Sequence, residues 1–221
     1  MRFYLSSYKL GNAIEKLKAL LPRLNKKIAY ISNALDWSND FNRRKWGERE
    51  DIGQLQCLGS DLEIEQIDLR GYFGKQEELK LKLLTFGTIW VCGGNAFVLR
   101  QAMELSGFDC ILRELSATAV DMLYGGYSAG VCVLGPTLKG IDIVDPPSEK
   151  PYGDFEVIWE GIGILDYVIV PHFESDHPES EAARRVAAHL REQKIPFKAL
   201  RDGEVIIIDD GSGNAGIRGS C

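Results

Sequence analysis

The sequence lacks the features that would point to a membrane or to nucleic acid. No apolar run is long enough to cross a bilayer, and the first residues have no long apolar core of the signal-peptide kind. Basic residues are also outnumbered, with 26 Lys and Arg against 32 Asp and Glu, for a net charge of −6. Because phosphate binding needs a basic surface, we expect neither nucleic acid nor a membrane as a partner.

Cysteine is scarce, and internal repeats are absent. The five cysteines are widely spaced and form no C-x-x-C pair, so they indicate neither a disulfide framework nor a zinc site. We expect reduced thiols in a cytoplasmic protein. With no low-complexity tract and no break in composition, residues 1–221 are predicted to form a single domain, in which the glycine-rich residues 211–221 are a flexible tail.

Strand and helix patterns alternate along the chain. Strands are predicted at Arg2–Ser6, Lys27–Ile31, Leu62–Leu69, Thr88–Cys92, Met122–Tyr124, Val168–Val170 and Val205–Ile208. Helices are predicted at Asn12–Leu24, Glu77–Leu84, Phe97–Ser106, Ile111–Met122 and Pro178–Gln193, and Ser38–Leu58 has apolar residues at roughly helical intervals. This alternation predicts an α/β fold with three layers, in which helices cover both faces of a doubly wound, mostly parallel sheet.

The stretch Gly126–Gly130 is a G-x-S-x-G motif between a short apolar strand and small apolar residues. This is the sequence context of a nucleophile elbow, in which the central serine, Ser128, sits in a strained turn at a helix N-terminus. The N–H groups of such a helix end favour negative charge and can stabilise an oxyanion. The alternative interpretation is a glycine-rich loop in which Ser128 only caps a helix.

Two further features follow predicted strands, where ligands bind in open α/β sheets. Gly93, Gly94 and Asn95 follow one strand, and they suit either an oxyanion hole or a tight turn with Asn95 as a helix cap. His172 follows another, and it is the favoured base for a nucleophilic serine. The remaining histidines, His177 and His189, do not end strands and are predicted to lie at the surface.

A histidine base needs an acid to orient it, and spacing alone does not choose one. Asp202 lies in the turn before the last strand, and Asp142 follows the elbow helix. Glu174 lies two residues after His172 and is a further candidate. Of these, only Asp142 gives the Ser, Asp, His order of α/β-hydrolases.

Together these motifs resemble the peptidase E family, which includes the α-aspartyl dipeptidases and, more distantly, cyanophycinase. The resemblance rests on Gly93–Leu99, Gly126–Gly130, Pro171–Phe173 and Leu200–Gly203, in that order. It implies a fold like that of class I glutamine amidotransferases, which is flavodoxin-like, with a serine nucleophile. No metal or organic cofactor is implied.

The resemblance also implies a role for each motif. Ser128 would be the nucleophile, His172 the base, and the N–H groups of Gly94 and Ala129 the oxyanion hole. Asp202 matches the family's acidic third member, while the segment around Asp142 resembles one that also offers an Asp, so the third member stays open.

The substrate implied by the resemblance is a dipeptide with an N-terminal Asp. Its carboxylate would need a cation, for which Arg184 and Arg185 are candidates, and Asn95 is a further candidate contact. The alternatives are another small-peptide or amide hydrolase of the cyanophycinase kind, an esterase, or a ligand-binding protein without catalysis. The oligomeric state, monomer or homodimer, is left open.

Overall fold

The computed structural model of the protein describes residues 1–209. The predicted tail at 211–221 lies outside the described residues. The described strands are β1 (Arg2–Ser6), β2 (Lys27–Ile31), β3 (Glu63–Gln66), β4 (Thr88–Val91), β5 (Leu123–Tyr127), β6 (Val168–Val170), β7 (Phe197–Ala199) and β8 (Val205–Ile208). The described helices are α1 (Ile14–Leu20), α2 (Phe41–Gln56), α3 (Gln76–Leu83), α4 (Ala96–Ser106), α5 (Phe108–Ser116), α6 (Ala129–Cys132) and α7 (Ser180–Glu192), with 3-10 turns at Asn33–Trp37, Leu69–Tyr72 and Ile141–Ile143.

A six-stranded sheet in the order β3-β2-β4-β5-β1-β8 forms the centre of the molecule. Its pairs are parallel except for β1 with β8, which is antiparallel. The short strands β6 and β7 pair in parallel in a second sheet. Both β4 and β5 are buried along their whole length, as expected for parallel strands with both faces covered. The predicted α/β class with a mostly parallel sheet is therefore confirmed.

The helices pack through apolar faces of helical period. In α7 the buried residues are Ala183, Val186, Ala187 and Leu190, a spacing that forms one stripe along the helix. In α4, Asn95 caps the first turn and Gly107, at φ 72°, ends the last one.

Some predicted elements have different limits in the structure. The helix predicted at Asn12–Leu24 is only α1, because Pro22 cannot continue a helix and restricts the residue before it. The helix predicted at Ile111–Met122 is α5, which begins earlier and ends at Ser116. The strand β7 was not predicted, since its residues (FKA) include a lysine and lack the β-branched run (VIV) that marks β6.

The topology brings several loops to one edge of the central sheet. Strands β1, β4 and β5 run in parallel and in register, so the residues that follow them lie side by side. These residues are Ser7, Gly93 and Ser128. The antiparallel strand β8 begins opposite Ser6, which places the turn that contains Asp202 at the same edge.

Three cysteines in the described part of the chain are free thiols, as the sequence predicts. These are Cys57, Cys92 and Cys132. Within residues 1–209, no helix has the length and apolarity needed to cross a membrane.

Candidate active site

Ser128 lies at a sharp turn between β5 and α6. Its backbone has φ 48° and ψ −118°, a conformation that non-glycine residues rarely adopt. The glycines on either side are required by the neighbouring strand β4. A Cβ on Gly126 would lie 2.6 Å from the carbonyl oxygen of Val91, and one on Gly130 would collide with the same oxygen. The G-x-S-x-G motif thus forms the strained turn that the sequence predicted.

Ser128, His172 and Asp202 form a hydrogen-bonded chain. The His172 Nε2 atom is 3.2 Å from Ser128 Oγ, and its Nδ1 atom is 2.8 Å from Asp202 Oδ1. Because an ionised carboxylate only accepts, Nδ1 carries the proton and Nε2 is left to accept the Ser128 hydroxyl. This is the arrangement that prepares a serine hydroxyl for attack.

Asp142, the alternative acid, does not take part in this chain. Its carboxylate accepts the N–H of Gly140 at 2.8 Å, within its own loop. Glu174 instead forms an ion pair with Arg201. The chain order of the three linked residues is therefore Ser, His, Asp, which differs from the α/β-hydrolase order.

His172 is buried among aromatic rings. The ring of His177 stacks on it with centroids 3.7 Å apart, and Tyr8 contacts it edge-on at 5.7 Å. Burial lowers the pKa of His172 below the ordinary value, and the neighbouring His177 lowers it further, against the opposing effect of Asp202. His172 is therefore neutral near pH 7, as a general base must be. His177 is half-buried, and its stacking on His172 was not predicted from the sequence.

The predicted oxyanion hole involves the N–H groups of Gly94 and Ala129. Neither group donates to another described residue. Ala129 is the first residue of α6, where N–H groups have no intrahelical acceptor. Gly94 has φ 143° and lines the same cleft as Ser128. Among the described residues both N–H groups are thus without an acceptor, as the donors of an oxyanion hole must be before a substrate binds.

Asn95 lines the cleft, and its side chain already makes three hydrogen bonds within the protein. Its Oδ1 accepts the N–H groups of Phe97 and Val98 at 2.9 and 3.0 Å, and its Nδ2 donates to the carbonyl of Pro146 at 2.9 Å. The assignment of Asn95 to substrate binding stays a prediction. The residue caps α4 and ties the loop at Pro146 to the cleft.

Arg184 and Arg185 do not line the cleft that contains Ser128. Both are exposed on α7, on the side away from its buried stripe, and Arg184 pairs with Glu181. Their position therefore does not support the predicted role in substrate binding. The physical reason is that the apolar residues of the helix that follows Pro178, such as Ala183 and Val186, must face the core. The two arginines then lie on the solvent side of this helix.

The cations that do line the cleft come from the end of β1 and from α2. They are Lys9, Arg43 and Arg44. Lys9 is paired with Glu50 and Asp51, and Arg44 is paired with Asp36.

Arg43 differs from the other two cations. It forms no ion pair with any residue in the described range, and its guanidinium lies 5.0 Å from the centroid of the Trp37 ring. Sequence reasoning missed it because α2 is polar over most of its length, so one charged residue in it does not stand out.

A buried polar network fixes α2 beside the elbow. Asp51, on α2, is almost fully buried and accepts the hydroxyl groups of Tyr30 at 2.9 Å and Tyr127 at 2.8 Å. Lys9 Nζ donates to its other oxygen at 2.7 Å. Because Tyr127 directly precedes Ser128, this network links the wall of the cleft to the strained turn.

The cleft has a volume of about 500 Å³, within the usual range for small-molecule sites. Two carboxylates, Asp145 and Glu179, line it close to His172. Glu179 Oε2 is 3.8 Å from His172 Nε2, and Asp145 accepts the N–H of Ala96 at 2.8 Å. Burial raises the pKa of Asp145 to about 7.

One group of side chains has the spacing of metal ligands. Within residues 1–209, the ligand atoms of His172, His177 and Asp202 lie within 4.8 Å of one another. The hydrogen bonds of His172 to Ser128 and Asp202 engage both of its ring nitrogens. We therefore assign no metal role to this group.

Comparison with known proteins gives one consistent family. Residues 5–215 match the model of peptidase family S51. The chain is 26% identical over 123 residues to an uncharacterized peptidase of Listeria innocua, with 55% of each chain aligned. It is 29% identical over 133 residues to one of Listeria monocytogenes, with 60% of each aligned. The chain thus spans little more than half the length of these curated relatives.

Solved structures give the same fold. A crystal structure described as a candidate peptidase E from Listeria monocytogenes superposes with a TM-score of 0.72 at 23% identity, covering 94% of this chain and 93% of that one. A peptidase from an acI-B1 actinobacterium superposes with a TM-score of 0.63 at 16% identity, covering 94% and 82%. At these identities the likeness concerns the fold.

Proposed function

The chain belongs to peptidase family S51, and we propose that it is a serine peptidase that cleaves small peptides with Ser128 as the nucleophile. The observation that carries the proposal is the Ser128–His172–Asp202 chain, with hydrogen-bond distances of 3.2 and 2.8 Å. It lies in a cleft whose volume suits a short peptide.

The proposed reaction is acyl transfer in two stages. His172 Nε2 takes the Ser128 proton as Oγ attacks the amide carbon, and the resulting oxyanion accepts from the N–H groups of Gly94 and Ala129. His172 then donates that proton to the leaving amine. Water, deprotonated by the same nitrogen, hydrolyses the ester and releases Ser128. Asp202 keeps the imidazole in the required tautomer and stabilises its protonated form.

For the substrate, we propose a dipeptide with an N-terminal Asp. Its side-chain carboxylate would bind Arg43 rather than Arg184 or Arg185. Arg43 lines the cleft and has no carboxylate partner within residues 1–209, which supports this assignment. The carboxylate of Glu179 lies 3.8 Å from His172 Nε2, where it favours the free ammonium group of a peptide and disfavours a second carboxylate.

The test is a panel of Asp-X, Glu-X, Asn-X and Ala-X dipeptides with the native protein and Arg43→Ala. We expect Asp-X to be cleaved best, and Arg43→Ala to lower kcat/KM for Asp-X by about 10- to 100-fold, because a charge-assisted contact is lost. The kcat/KM for Asn-X should change little between the native protein and Arg43→Ala. Arg184→Ala is the matched control and should match the native protein. Equal loss in both arginine variants would contradict the role of Arg43, and cleavage without any preference for Asp would contradict the substrate.

The pH dependence should report the environment of His172. Its neutral form is the active one, so kcat/KM should fall as the pH drops through its pKa, which burial and His177 hold below the usual value. His177→Gln removes the stacked imidazole whose electrostatic effect lowers the pKa of His172, so that pKa should rise and the acid limb should move to higher pH. We would compare pH–rate profiles of this variant with those of His189→Gln, whose limb should stay in place. A shift of the His177→Gln limb to lower pH would contradict this account.

A further inference from the structure

Ser7 is a buried serine that contacts every member of the Ser128–His172–Asp202 chain. It directly follows β1, between β5 and the turn that leads into β8, and it is fully buried. Its carbonyl oxygen accepts the N–H of Ser128 at 3.2 Å. Its hydroxyl oxygen accepts the N–H of His172 at 2.9 Å and lies 2.9 Å from Asp202 Oδ1.

The Ser7 hydroxyl has one proton to donate, and Asp202 is its better acceptor. The alternative is the carbonyl of Leu200 at 3.2 Å, which is farther away and uncharged. Oδ1 of Asp202 therefore accepts two hydrogen bonds, one from Ser7 and one from His172 Nδ1. Since Asp202 is partly exposed, the bond from Ser7 restricts a carboxylate that water would otherwise compete for.

The same hydroxyl also supports an unfavourable backbone conformation at His172. The φ of His172 is 60°, in the left-handed region that such residues seldom occupy. Strained residues of this kind persist only where surrounding contacts hold them. The bond from the His172 N–H to Ser7 Oγ is such a contact, and it fixes the direction in which the imidazole leaves the main chain toward Ser128.

We propose that Ser7 is a positioning residue, whose hydroxyl aligns the Asp202 carboxylate and the His172 backbone so that Nε2 faces Ser128. This inference rests on the proposed function, because it assigns Ser7 a part in the same reaction. Ser7 acts through its neighbours, and its effect should therefore appear in the rate of the serine's attack and not in substrate affinity. Neither residue type nor spacing separates Ser7 from Ser6 in the sequence.

The test compares Ser7→Ala with Ser7→Thr, which keeps the hydroxyl, and with Ser6→Ala as a matched control. Ser6 is equally buried, and its hydroxyl donates to the carbonyl of Tyr8, away from the three linked residues. For each protein we would measure kcat and KM on dipeptides, the rate at which an alkyl fluorophosphonate modifies Ser128, and the thermal midpoint of unfolding.

Ser7→Ala should lower kcat and the rate of Ser128 modification by about 10- to 100-fold at unchanged KM, as expected when a contact that orients a reacting group is lost. Ser7→Thr should recover most of this loss, and Ser6→Ala should show none at a comparable thermal midpoint. A Ser7→Ala protein with native rates would overturn the proposal, as would an equal loss in Ser6→Ala.

The inference and the proposed function can fail separately. If no dipeptide is cleaved but the modification of Ser128 slows in Ser7→Ala, the substrate is wrong and the role of Ser7 stands. If Ser128 is not modified even in the native protein, the nucleophile is wrong. The downfield proton resonance of the His172 Nδ1–H group then still tests Ser7, since it should be lost in Ser7→Ala and kept in Ser6→Ala. Its persistence in Ser7→Ala would overturn the proposal.

Discussion

Replacing Ser128 with alanine should abolish peptide cleavage, with kcat falling on the order of 10⁶-fold, the scale seen when a serine nucleophile is removed from a catalytic triad. The reason is that the variant has no Oγ atom to attack the amide carbon, while Gly94 and Ala129 can still bind the carbonyl oxygen. The fold should be kept, because the Ser128 hydroxyl contacts only His172 Nε2 among the described residues. Steady-state kinetics on the dipeptide panel would measure the loss.

The matched control for this change is Ser60→Ala. Ser60 is an exposed serine between α2 and β3, and it does not line the cleft. It should leave kcat and KM at native values. The activity of Ser128→Ala should be compared with that of His172→Ala prepared in the same way. A higher activity in Ser128→Ala would indicate another nucleophile and would contradict the account.

Replacing Asp202 with asparagine should lower kcat by about 10⁴-fold with little change in KM, the size of effect known for the equivalent change in a serine protease triad. Asparagine keeps the shape of the side chain but not its charge. It can present an NH₂ group to His172, which stabilises the tautomer with the proton on Nε2, and that nitrogen can no longer accept from Ser128. The protonated imidazole also loses its carboxylate partner.

Asp142→Asn is the control that separates the two candidate acids. Because the Asp142 carboxylate accepts, within residues 1–209, only the N–H of Gly140 in its own loop, this variant should keep native kcat. A large loss in Asp142→Asn together with native activity in Asp202→Asn would contradict the assignment. Circular dichroism of both variants would show whether any loss comes from unfolding.

The nucleophile turn and the base could be predicted from the sequence because local rules fix them. Two glycines are needed where β4 approaches Ser128, and the strand-end position of His172 follows from the α/β alternation. The α/β fold with a mostly parallel sheet could also be predicted, because the strand and helix patterns along the chain all agree with it.

The choice of acid and of the substrate-binding cations could not be predicted, because these depend on long-range packing. Asp202 reaches His172 only because β8 returns beside β1, and no spacing encodes that pairing. Arg184 and Arg185 face solvent because α7 turns its apolar stripe inward, whereas Arg43 reaches the cleft through the packing of α2 around buried Asp51. The stacking of His177 on His172 likewise joins residues whose sequence context suggested a surface turn.

The most direct test of Ser128 as an activated nucleophile is mass spectrometry of the native protein after reaction with an alkyl fluorophosphonate. The account predicts one adduct, located by peptide mapping on Ser128, and a much slower reaction in His172→Ala. An adduct on another residue, or no adduct on a protein that cleaves dipeptides, would contradict it.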